Sequence, residues 1–185
     1  MYEVRTTSII KQTLPVLILI SLGGTLAGLF LNGIRNRLDV FPGLLVVVPA
    51  LLGLRGNIAG SMACRLSTAL HMGTLRPAIL RNSGITPFVV SSLVLTLATS
   101  AVIGVLSYVY SDVYGILAPG FLPLVLITMS AALLAGSVHL VINLFISITS
   151  FRIGLDPDNV SIPVLTVTGD VITMLCFLLV VRVAI

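Results

Sequence analysis

Apolar residues in this chain gather in five long blocks, at about residues 14–34, 41–70, 87–110, 121–150 and 160–184, separated by short polar intervals. A helix rises 1.5 Å per residue, so about 20 residues cross the roughly 30 Å hydrocarbon core of a bilayer. Each block is long enough. The pattern predicts an all-α integral membrane protein with five transmembrane helices. The second and fourth blocks exceed the requirement, which predicts tilt, a kink or extension past the headgroups. The second also holds Pro49 with Gly53, Gly56 and Gly60, the expected place for irregular backbone lining a cavity. Residues 1–13 are polar and read as a short leader, which places the helical domain at 14–185.

Composition fixes the solvent. The 185 residues are 57% hydrophobic and 9% charged, and the mean hydropathy is +1.19. A soluble domain of this size has no way to hide so much apolar surface. The first block is too long for the apolar core of a signal peptide and lacks a small-residue cleavage site, so it counts as a span. No basic patch interleaved with aromatics points to nucleic acid. Cys64 and Cys176 fall inside apolar blocks and form no motif, so they read as small hydrophobes.

Charge sets the expected orientation. Arg5, Lys11, Arg76, Arg81 and Arg152 fall on the side of the N-terminus, against Arg35, Arg37 and Arg182 on the other. The bias predicts a multi-pass protein of the cell membrane with a cytoplasmic N-terminus and an external C-terminus.

Asp170 is the only charged residue between Val160 and Val181. A carboxylate at bilayer depth is costly, and its usual use is to face a water-filled path or bind an ion. Pro163, Thr166, Asp170 and Thr173 share one helix face by their spacing of three or four. Asn57, Ser61, Cys64 and Thr68 form a second stripe, and Gly136, His139, Asn143 and Ser147 a third. Close helix packing explains the small and hydroxyl residues alone; it does not require a carboxylate. Asn57 lies about 20 Å inward of Leu44, and Asp170 about 12 Å above Ile162. The two therefore reach similar depth.

A carboxylate, an amide carbonyl and hydroxyls at one level suit a hard cation. Mg²⁺ in particular binds through retained waters and one or two carboxylates. The candidate ion-contacting residues are Asp170, Asn57, Thr166, Thr173 and Ser61. No His/Cys cluster favours zinc or copper, no cofactor is expected, and no catalytic constellation marks an enzyme. Arg55 lies mid-span and needs a partner. An ion pair with Asp170 is the competing arrangement. Arg55 and Asn57 lie roughly 200° apart on the helix and so cannot face the same pore. His139 reads as a satisfied bundle histidine and Asp112 as solvated. Asp156 and Asp158 are candidate turn or cap residues for the last helix and Asn159 a good cap candidate; the alternative is that they collect cations at the cytoplasmic mouth. One copy carries one intramembrane carboxylate, which favours a two-fold dimer. Gly24, Gly28, Gly56 and Gly60 offer close-packing surfaces.

Two stretches carry a family resemblance. Pro49-Ala50-Leu51-Leu52-Gly53-Leu54-Arg55-Gly56-Asn57, continuing to Arg65-Leu66-Ser67-Thr68-Ala69, resembles the second span of the MgtE family of divalent-cation channels and transporters. It is closest to the eukaryotic solute-carrier magnesium transporters related to them. The run from Asp156 to Asp170 resembles that family's signature leading into the last span. The resemblance implies a homodimeric or pseudo-dimeric pore for Mg²⁺ or a similar divalent cation, lined by the second and fifth spans. The family's pore aspartate maps onto Asp170, and the asparagine of its glycine-rich stretch onto Asn57. Bacterial members add cytoplasmic regulatory domains, so closure by such domains is not expected here. Eukaryotic members fuse two such halves, so a partner copy or a second half-chain is expected. Arg55 stands where eukaryotic members have lysine and bacterial ones glycine, which leaves a proton- or sodium-coupled exchanger as an alternative. A non-transporting half-subunit of a heteromeric transporter is the other.

Overall fold

A computed structural model of the chain describes residues 6–75, 83–154 and 157–185. Every regular element among them is helical. These are α1 (Thr6–Asn32), α2 (Arg35–Val40), α3 (Gly43–His71), α4 (Thr86–Val113), α5 (Phe121–Arg152) and α6 (Pro157–Ala184). A single 3-10 turn, Ser83–Ile85, leads into α4. Among the described residues, four stretches are long and apolar enough to cross a membrane: α3, α4, α5 and Ile162–Ala184 of α6. Ile20–Asn32 of α1 is a shorter apolar stretch.

Two expectations need correction. The second block is an unbroken 29-residue helix through Pro49 and its glycines, without the irregular backbone expected there. Pro49 removes one rung of the hydrogen-bond ladder; the continuous helix on both sides holds the rest. Asn159 does not cap α6, because the helix already begins at Pro157. Proline suits a first helical position, where an amide hydrogen would be unpaired anyway. Asp156, Arg5, Arg76 and Arg81 lie outside the described residues.

Glycine contacts fix how the helices run. Gly23 of α1 abuts Val167 of α6, and Gly33, in the turn just after α1, abuts Leu178, so these two helices are parallel. Gly104 and Gly136 pair α4 with α5 in antiparallel fashion, against Val125 and Thr96. A methyl on Gly104 would lie 2.9 Å from the Val125 Cα, too close for any side chain. The ends confirm the alternation. Arg182 Nη2 donates to the Gly33 carbonyl at 3.3 Å, and Arg37 donates to the Ile185 carbonyl. The Gly43 amide donates to the Leu117 carbonyl at 2.9 Å. The α1–α2 turn, the start of α3, the α4–α5 loop and the C-terminus therefore share one end of the bundle.

Two apolar clusters sit at different heights. Leu44, Val47, Leu51, Leu124, Phe177 and Val181 fill the end that holds the C-terminus. Leu66, Leu70, Leu75, Ile85 and Ile148 fill the opposite end. Between them the interior is polar. α4 shows why: its buried residues are Ser92, Thr96, Ser100, Gly104, Ser107 and Ser111, at spacings of three and four. Its large apolar residues, including Val94, Val102, Leu106 and Val109, face outward. In lipid this arrangement is sound, because small residues let helices approach while apolar ones meet acyl chains.

Candidate cation path and buried polar layer

α3 carries two polar surfaces. Outward lie Gly53, Gly56, Asn57, Ser61, Cys64 and Thr68, all exposed. A methyl added to Gly53, Gly56 or Gly60 would meet nothing within 4 Å. The same holds for Gly24 and Gly28 of α1, so these glycines make no close contacts within one copy. Asn57, Ser61 and Arg65 form one wall of a cleft of about 170 Å³, with Phe88, Ser91 and Leu95 of α4 opposite. The structure thus brings Asn57 and Ser61 together in an open cleft.

Asp170 stands apart from that cleft on α6 and is partly exposed. Among the described residues no hydrogen bond or ion pair joins it to Asn57. Thr166, one turn earlier, is also partly exposed and donates to the Ile162 carbonyl at 2.9 Å. Thr173, one turn later, is fully enclosed, and its hydroxyl has no hydrogen-bond partner. The face of α6 read from spacing therefore turns inward at Thr173.

The inward surface of α3 holds Arg55, only 5% exposed. Among the described residues neither Nη1 nor Nη2 has a hydrogen-bond partner. The Asp170 and Cys176 side chains lie within reach of its charge. The direct ion pair weighed from the sequence is absent, however: the salt bridge found among the described residues is Arg35–Asp39, at 4.0 Å on the surface. Arg55 instead lines a narrow cavity with Ser92, Thr96, Gly136, His139 and Asn143.

His139 is buried against α6, where Gly169 makes room for it. A methyl on Gly169 would lie 2.8 Å from the His139 Cε1. The Thr168 carbonyl is near the ring but outside hydrogen-bond geometry, and neither ring nitrogen has a partner. The expectation of a satisfied histidine fails here. Asn143, one turn on, is anchored: its Nδ2 donates to the Ala59 carbonyl at 2.9 Å, and Ser147 Oγ donates to its Oδ1 at 3.1 Å. Ser92 Oγ donates to Met62 Sδ at 3.2 Å.

This convergence was missed in the sequence. The α5 stripe is legible there, and the Ser92–Thr96–Ser100 spacing of α4 was available as a signal, but nothing in the sequence shows that both stripes meet Arg55. Among the described residues, no group of three His, Cys, Asp or Glu side chains is placed to hold a metal directly.

Comparison with known proteins comes from two sides. The profile of the MgtE family, described as divalent cation transporter, matches residues 48–180. Solute carrier family 41 member 2 of Xenopus laevis is 31% identical over 172 residues, covering 88% of this chain and 30% of the relative. The Homo sapiens protein of the same name is 28% identical over 172 residues, covering 88% and 29%. Solute carrier family 41 member 3 of Rattus norvegicus is 30% identical over 173 residues, covering 89% and 36%. The chain thus spans about a third of the length of these relatives.

Proposed function

We infer a function from the premise that this chain belongs to the MgtE family of divalent cation transporters. We propose that it carries Mg²⁺, or a similar divalent cation, across the membrane along a path between two copies of the α3 and α6 faces. α1 supplies a fifth crossing, with the N-terminus cytoplasmic and the C-terminus external. Asp170 attracts the hydrated ion. Asn57, Ser61 and Thr166 bond to its waters, and Thr173 reaches it through water held behind Asp170.

One observation carries this reading. The outward face of α3 presents an amide, hydroxyls and three glycines with nothing packed on them, on a helix whose other side is buried. Asn57 and Ser61 stay apart from Asp170 within one copy, so a second copy would have to complete the set. The second copy's place could equally be taken by a related half-chain.

The proposal is tested by replacing Gly60 with Cys in a background lacking Cys64 and Cys176. Oxidation in mild detergent should then give a covalent dimer. Monomer alone, under conditions that retain Mg²⁺ uptake into liposomes, would exclude the two-copy path.

A further inference from the structure

Four unpartnered nitrogens meet in one place. Nη1 and Nη2 of Arg55 and both ring nitrogens of His139 are buried without hydrogen bonds among the described residues. Both side chains line the cavity between α3, α4 and α5. About 20 Å³ of it is free for the centre of a water-sized occupant, room for one small guest. No acidic side chain lines it. Asn143 contributes one more N–H, since only one of its amide hydrogens is needed for the Ala59 carbonyl. The walls therefore offer donors around a fixed positive charge.

A water molecule would accept from at most two of these donors and leave the charge. Burying an uncompensated guanidinium is strongly unfavourable, and Asp170 stands beyond ion-pair distance. An anion answers both requirements at once. We propose that this cavity binds one small monovalent anion of chloride size, held chiefly by Arg55 with His139 and Asn143 as further donors.

A route to it exists. The cavity shares Ile58, Met62 and Ser92 with the open α3–α4 cleft, where the exposed Arg65 stands. Met62 lies in that shared wall, and its unbranched thioether can swing aside. One consequence rests on the cation reading above. A cation at Asp170 would cancel the carboxylate field at Arg55, so cation and anion would each tighten the other's binding.

The test omits Mg²⁺, so that it stands apart from transport. Thermal unfolding of the full chain in detergent is followed in sodium chloride, sodium bromide and sodium gluconate at equal ionic strength. Chloride and bromide should raise the midpoint saturably, on the order of 5 °C at a hundredfold excess over Kd, and gluconate should not. Arg55→Met should abolish the difference. If that variant does not fold, chloride NMR on the unaltered protein decides: line broadening that bromide relieves supports the site, and its absence overturns it. Equal midpoints in chloride and gluconate, as water alone would give, overturn the proposal, as does a halide response that survives Arg55→Met. A missing halide response alongside intact Mg²⁺ flux removes the anion site alone. A halide response without flux removes the cation path alone.

Discussion

On α3, Arg55 and Asn57 stand two residues apart and meet opposite surroundings. Arg55 is enclosed among α4 and α5 side chains, and among the described residues neither its Nη1 nor its Nη2 has a hydrogen bond. Asn57 is exposed on a face where glycines have no neighbours. The inward side is finished as a packed layer but unfinished in charge. The outward side is polar but unfinished in packing. A helix in lipid tolerates neither state cheaply, since polar groups there need partners. Each side therefore points to something beyond one bare copy: an anion inside, and a second copy with its hydrated cation outside.

Substitutions separate the two sides. Arg55→Met removes a buried charge and keeps its volume, so in halide-free buffer it should raise unfolding stability by about 1–4 kcal/mol. A loss of similar size, read by denaturation in detergent, would mean that Arg55 already has a compensating partner. Gly169→Ala should destabilise by about 1–3 kcal/mol, because its methyl would press on the His139 ring at 2.8 Å and the packed helices leave little room to yield. An unchanged midpoint would show that the ring swings away freely. Asn57→Ala should alter stability by less than about 0.5 kcal/mol, as expected for an exposed position, while lowering Mg²⁺ uptake partially. A stability loss as large as that of Gly169→Ala would place Asn57 in the packed interior instead.

Much of this division was legible in the sequence. The apolar blocks gave the long helices because 20 or more apolar residues have few other fates. The spacing of Arg55 and Asn57 correctly put them on different faces, since 3.6 residues per turn is a strict rule inside an unbroken helix. The backbone at Pro49 was misjudged: proline and glycines weaken a helix, but the continuous hydrogen-bonded helix around them held it. Asn159 falls inside α6, which already begins at Pro157, the ordinary uncertainty of a helix boundary. The meeting of His139 with Gly169 and Arg55 was out of reach, because it depends on how α3, α5 and α6 pack. A stripe tells which residues share a face, but not which face it meets.

The central claim is that Asp170 draws a divalent cation into a path through the membrane. Its most direct test is Mg²⁺ flux into liposomes containing only this purified chain, compared with the Asp170→Asn variant, with unfolding midpoints measured on the same preparations. The unaltered chain should conduct, and the variant should lose most of its flux while keeping its fold and assembly. Asp170→Asn that conducts like the parent, or that loses flux only because it unfolds, would contradict the account.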